Sequence, residues 1–201
     1  MTEPKFSSRI LRRFVEIVAM ELGSDQFNAM PALSKLPSDW AKPETFLRMS
    51  EVESAKAYAS LQAAIRTYFG RGARGVLLRV GQRLWNQILD DAALGNKAQA
   101  AVIKRLPLNA RRKSTLELLS RLLSAQPGDI TLHTLDLDLL LVDHASPTTD
   151  GYRDSAPICF VTHGLIRESL SWATGQGHDV EEISCKARGD KSCEFKITME
   201  K

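Results

Sequence analysis

Val180-Glu-Glu-Ile-Ser-Cys-Lys-Ala-Arg-Gly-Asp-Lys-Ser-Cys-Glu-Phe-Lys-Ile197 lies within two short strand-like runs, 178–187 and 192–199, arranged around Arg188-Gly189-Asp190-Lys191. A glycine beside an aspartate between two such runs supplies a turn, so a β-hairpin is expected here. Cys185 and Cys193 flank that turn, and a hairpin brings such positions together, as many structural zinc sites do to gather a thiolate pair. The third cysteine, Cys159, stands near the start of the preceding apolar segment, Ile158 to Trp172. That segment is expected to be a helix with Pro157 in its first turn, and a helix N-terminus favours the thiolate.

Zinc takes four ligands, so this set lacks one. Two residues compete for the place: Glu182, three before Cys185, and His163, one helical turn after Cys159. Glu182 has the opposite strand parity to Cys185 and would need a bulge to aim at the same ion. His163 needs no such device. Spacing alone leaves the choice open. His133, His144 and His178 have no partner at a useful spacing and are expected at the surface.

Upstream, Asp129 to His144 predicts a strand with Leu135, Leu137, Leu139 and Leu141 on one face and Asp136 and Asp138 on a wet face. Residues 145–155 read as a polar loop. Helices are expected over 97–106 and 114–124, separated by Pro107 and a basic 111–113 segment. Others are expected from Ala73 to Leu89 and from Glu51 to Phe69. Gly72, Gly75 and Gly81 favour close helix packing, and no Gly-Lys-Ser/Thr follows them to make a phosphate loop. Ile10, Leu11, Phe14, Val15, Val18 and Leu22 form the stripe of an amphipathic helix, Ser8 to Leu22, capped by Gly23. Between them, residues 24–50 carry Pro31, Pro37 and Pro43 with interspersed apolar anchors, which reads as a packed excursion or a lid. The fold class is therefore α+β, a helical N-terminal part packed on a small antiparallel sheet.

The chain has 201 residues, 43% hydrophobic and 25% charged, enough for one soluble domain with a real core. Net charge is only +3; Arg71-Gly-Ala-Arg74 and Arg111-Arg112-Lys113 read as solvated helix ends, so direct nucleic-acid binding is not expected. No run reaches the roughly 18 apolar residues of a membrane span. The N-terminus lacks an apolar signal region, so a cytoplasmic location is expected. Three cysteines argue against a disulfide framework. No Gly-x-Ser-x-Gly elbow, His-Glu-x-x-His or dinucleotide fingerprint is present, so a non-catalytic role is the expectation.

The hairpin, with its Gly-Asp turn and Cys193-Glu-Phe ending, resembles the C-terminal signature of 4-vinyl reductase-type domains, and Cys159-Phe-Val-Thr-His-Gly-Leu-Ile is similar to the helix before it in that family. The family includes sensor domains of phenol-responsive transcription activators, hydrocarbon-binding proteins and a protein of bacteriochlorophyll synthesis. In the phenol sensors a helix Cys, a Glu, a Cys three residues later and a further Cys after seven intervening residues hold zinc. The resemblance thus implies Cys159, Glu182, Cys185 and Cys193 as metal ligands and tips the fourth place toward Glu182.

It also implies a structural Zn2+ that binds the C-terminal hairpin, a homodimer, and a hydrophobic small molecule as ligand of a sensor or carrier. The likeness departs in the leucine-rich strand, where the phenol sensors place an aromatic donor. Candidate pocket residues are Trp85, Leu137, Leu139, Phe160 and Trp172, each of which is equally suited to an ordinary core. Residues 1–50 are expected to be an extension serving as dimer interface or lid, with residues 51–201 the ligand-binding domain. Two other functions fit the resemblance: an enzyme or accessory protein of tetrapyrrole metabolism, and a protein-interaction module whose pocket is filled by side chains. With no output domain evident, any signal is expected to pass to a separate partner.

Overall fold

The structure, a computed structural model, describes residues 3–199 apart from 35, 38 and 137. Its helices are α1 (Ser8–Leu22), α2 (Ser24–Phe27), α3 (Met30–Leu33), α4 (Pro43–Leu47), α5 (Glu51–Phe69), α6 (Ala73–Asp91), α7 (Leu94–Ile103), α8 (Leu108–Leu123) and α9 (Phe160–Thr174). Four strands, β1 (Ile130–Leu135), β2 (Asp138–Asp143), β3 (Asp179–Ser184) and β4 (Cys193–Thr198), form one antiparallel sheet in the order β1-β2-β4-β3. The expected α+β architecture is present.

Local chemistry accounts for the element ends. At the start of α5, Ser50 and Glu53 form a reciprocal cap: the Glu53 N–H donates to Ser50 Oγ at 3.2 Å and the Ser50 N–H to Glu53 Oε2 at 2.8 Å. α1 ends where Gly23 takes a φ of +77°, which a side chain would resist. Its apolar stripe, Leu11, Phe14, Val15, Ile17 and Val18, is buried in the same core as α5, α6 and α9. The face expected as a dimer contact is therefore used within the chain. The 24–50 excursion is pinned in the same way: Phe27, Met30, Leu36 and Phe46 are buried, and Trp40 meets Phe27 edge-on at 4.3 Å.

α6 and α9 cross most closely where Gly81 faces Gly164. A Cβ on Gly81 would stand well inside contact distance of the Val161 carbonyl oxygen, and one on Gly164 inside that of Leu78. Of the three upstream glycines, Gly81 is the one that permits close packing, and it seats α9 and hence Cys159.

Two expectations are corrected. The single strand over 129–144 is a hairpin, β1 and β2, paired from Ile130↔Asp143 to Leu135↔Asp138. Asp136 takes the turn with a φ of +52°, a conformation that aspartate tolerates better than most residues. Leu139 and Leu141 point into the core as expected, whereas Leu135 is 44% exposed and Leu137 lies outside the described residues. The basic 111–113 segment is part of α8 rather than a break. There Arg112 is buried, its Nε donating to Nε2 of His178 at 3.0 Å, and Arg111 Nη1 donates to the Ala173 carbonyl at the end of α9. His178, expected at the surface, is buried with it.

Candidate metal centre

Three elements converge on one point. Cys159 is the residue just ahead of α9, where the chain turns into the helix. Glu182 comes from β3, Cys185 directly follows that strand, and Cys193 opens β4. The parity problem for Glu182 is solved by a register shift: Glu182 pairs with Phe195, but Ser184 pairs with Glu194, so one residue is extra on β3. That bulge puts Glu182 and Cys185 on the same side.

All four residues offer a ligand atom within 4.8 Å of one another. The sulfur of Cys159 is 3.5 Å from that of Cys193 and 3.9 Å from that of Cys185, and the latter two are 4.0 Å apart. These separations are far longer than a disulfide. They fit a tetrahedral zinc: bonds of about 2.3 Å place sulfurs about 3.8 Å apart. The three cysteines are buried. His163, the rival ligand, is also buried but stands apart from this group, its ring edge-on to Phe195 with centroids 6.4 Å apart.

Around the ligands the backbone presents donors to sulfur and carboxylate. The Lys186 N–H points at Cys193 Sγ (3.4 Å), and Ser146 Oγ lies 3.6 Å from Cys159 Sγ. Asp190 organises the turn: its Oδ2 accepts from the Cys185 N–H at 2.8 Å and from Arg188 Nη2 at 2.9 Å. Gly189, with a φ of +102°, lets the turn close.

Electrostatically the cluster asks for a cation. Burial, then the nearby Cys185, pushes the Glu182 carboxyl up to about 8. Cys185 is held well below the usual thiol range by hydrogen bonds from the Cys159 and Cys193 thiols, while the same contacts and burial push Cys159 up. A single thiolate shared among three sulfurs is what a buried set adopts without a cation. A dication reverses this by displacing protons from ligands. One oxygen of Glu182, Oε1, is buried without a hydrogen-bond partner. An orphaned oxygen beside three converging sulfurs fits a bound divalent ion.

The candidate pocket residues are distributed differently. Trp85 and Leu139 are core residues, and Phe160 and Trp172 pack half-buried against that core. Trp85 meets Trp172 edge-on at 5.6 Å, and Lys104 Nζ lies 4.5 Å above the Trp172 ring. Two buried polar features escaped sequence reading. Arg112 lies one turn before Thr115 and Leu116 and two before Leu119, so helical period would have placed it inside. Asp143, fully buried at the end of β2 with its carboxyl pushed up to about 7 by burial, carried no such signal.

Among solved structures the fold is that of H-NOX proteins. One from S. oneidensis, in the Fe(II)NO ligation state, matches with a TM-score of 0.56 and 16% identity over 97% of this chain and 99% of that one. An Fe(II) unliganded H-NOX protein from K. algicida matches with a TM-score of 0.58 and 13% identity over 97% of each chain. The phenol-responsive sensory domain of the transcription activator PoxR, with phenol, matches at a TM-score of 0.49 and 15% identity over 70% of this chain and 73% of that one. No curated protein matches the chain. Within this fold, residues 144–199 match the family model of the 4-vinyl reductase domain, so the expected domain type is borne out over the stretch that holds all four candidate ligands. Among the described residues no helix is long and apolar enough to cross a membrane.

Proposed function

We propose that the chain is a small-molecule-sensing domain that binds a hydrophobic ligand and whose C-terminal hairpin is fastened by Zn2+ through Cys159, Glu182, Cys185 and Cys193. The observation that carries the metal is the convergence of three sulfurs and one carboxylate oxygen within 4.8 Å, at edge lengths suited to a zinc tetrahedron. Three thiolates and a carboxylate fill the coordination sphere, so the ion supplies cross-linking rather than an open position for water. It ties β3 and β4 to the start of α9 and holds the shape of the ligand-binding part. The 4-vinyl reductase domain match over 144–199 and the likeness of fold to H-NOX proteins support the sensing role.

A second reading, an interaction module with a side-chain-filled interior, is favoured by the Trp85–Trp172 contact, which fills the space between α6 and α9 with indole rings. One preparation separates the two. Protein purified without chelator is analysed for metal and by native mass spectrometry: one zinc per chain with a displaceable apolar adduct is expected. Zinc without any adduct, and no saturable binding of apolar compounds, would favour the interaction module. Absence of stoichiometric zinc would overturn the clamp.

A further inference from the structure

The loop after β2, which touches the metal centre through Ser146, also helps to enclose a second site. Phe6, in the irregular segment ahead of α1, stacks on Tyr58 of α5 with centroids 4.2 Å apart and planes 26° apart. It is only 4% exposed, although no helix or strand holds it. Against this pair lies a cavity of about 30 Å3, walled by Phe6, Tyr58, Ile130, Asp143, Thr162 and Leu165. The apolar side is a slot the width of one aromatic ring. The polar side is the Asp143 carboxyl, which accepts the Ala145 N–H at 3.1 Å, together with Thr162. The Tyr58 hydroxyl is engaged elsewhere, with Thr148 and Gln62.

We propose that this slot binds a single aromatic ring bearing an N–H or O–H donor, and that Phe6 is its built-in plug, displaced when the ligand enters. The proposal rests on the sensing role and gives it a place and a ligand class. Volume sets the requirement for displacement: a cavity of about 30 Å3 holds about two waters, while benzene needs roughly 150 Å3. The ring space on Tyr58 is already shaped and in use by Phe6. Exchanging one ring for another is nearly neutral in buried area, so the surplus comes from filling the residual cavity and donating to Asp143.

The plug is lightly tethered. Besides its ring contacts, the segment is held by the Phe6 N–H donating to the Glu51 carbonyl at 3.0 Å and an exposed Lys56–Glu3 pair at 3.3 Å. Such a segment belongs to the low-stability end of a fold. The slot is also wired to the clamp. Asp143 is the register partner of Cys193, Ser146 Oγ lies 3.6 Å from Cys159 Sγ, and Thr162 is in the first turn of α9 after Cys159. The clamp thus keeps the back wall fixed while the front wall, continuous with α1, moves. Ligand entry is converted into release of the N-terminal arm.

The test uses the full zinc-loaded chain with 4-fluorophenylalanine placed at position 6, titrated with aniline, phenol and toluene. Aniline or phenol is expected to move the fluorine resonance saturably toward that of a solvent-exposed ring. Toluene, without a donor, should need at least about 10-fold more compound. Phe6→Ala, relieved of the competing ring, should bind aniline at least about 10-fold tighter and gain melting temperature on binding. If Phe6→Ala fails to fold, the labelled near-native chain still decides. A fluorine signal that stays put while a small molecule binds saturably would overturn the plug and leave the sensing role standing. Failure of any small molecule to bind either protein would remove both.

Discussion

The Cys159 N–H donates to Oε2 of Glu182 at 3.1 Å, leaving Oε1 of the same carboxylate buried and without a partner. One oxygen thus anchors the side chain to the start of α9 and the other is free for a metal. Glu182→Gln keeps the anchoring acceptor and the shape but removes the anion. Because loss of an outer-shell partner alone costs about 10–100-fold in metal affinity, loss of this ligand is expected to lower zinc affinity by more than about 100-fold. Competition with a chromogenic chelator measures it, and circular dichroism checks that helix content is unchanged. Wild-type affinity in the variant would remove Glu182 from the ligand set.

Stripping the metal should loosen the C-terminal unit first. With free zinc near roughly 1,000 times its dissociation constant, binding contributes about 4 kcal/mol. For a domain of this size that corresponds to a fall of about 8–16 °C in Tm on chelation. Amide exchange should rise in β3, β4 and the 144–160 segment before α1, α5 or α6. A thermal transition and exchange pattern unaffected by chelator would contradict a metal clamp.

Asp190 touches no candidate metal position, yet it ties the turn by accepting from the Cys185 N–H and from Arg188. Asp190→Ala frees the Cys185 backbone and is expected to reduce zinc affinity about 10–100-fold with the fold intact. Calorimetric titration of zinc into the metal-free variant reads this directly. An unchanged affinity would show that the turn is organised by Gly189 and the sulfurs alone.

What could be read from sequence follows from how local each signal is. Helical periodicity and Gly23 placed α1, and the bounds of α5 likewise coincide with those expected. The Cys185–Cys193 spacing around Gly189-Asp190 gave the hairpin and two ligands. The choice of Glu182 over His163 depended on a bulge at Ile183, a non-local adjustment of β3 against β4 that no spacing rule contains. The β1–β2 turn was invisible for a related reason: Asp136 takes the left-handed conformation without a glycine to mark it, so the leucine alternation ran straight through the bend. Asp143 and the Tyr58 slot assemble residues from four distant segments, and nothing in any one of them records the others.

The crossing of α6 and α9 gives a test of how α9 is seated. A methyl on Gly81 or Gly164 would meet backbone carbonyl oxygens, which cannot swing away as a side-chain tip can. Gly81→Ala and Gly164→Ala are each expected to cost about 3 kcal/mol or more, at the upper end for overpacking. Denaturant midpoints at constant slope measure it. Gly75→Ala, whose added methyl would approach only the Arg79 side chain, is the control and should be neutral or slightly stabilising in mid-helix.

His163 supplies a pH dependence separable from the metal. Burial, with Arg167 and Arg74 adding repulsion against Asp179 and the Val180 backbone acting the other way, lowers its folded-state value to about 4 from the ordinary 6.5. As pH falls below 6.5 the unfolded chain takes up a proton that the folded chain refuses until about 4. The unfolded state binds more protons across that window, so stability present above it is lost progressively on acidification. In metal-free protein, urea midpoints compared near pH 7 and about pH 4.5 should fall for wild type and fall less for His163→Gln, the difference being the histidine's share. Other carboxylates and thiols titrate alike in both proteins and cancel in that difference. Equal slopes in the two proteins would mean that the His163 ring is hydrated enough to protonate in place.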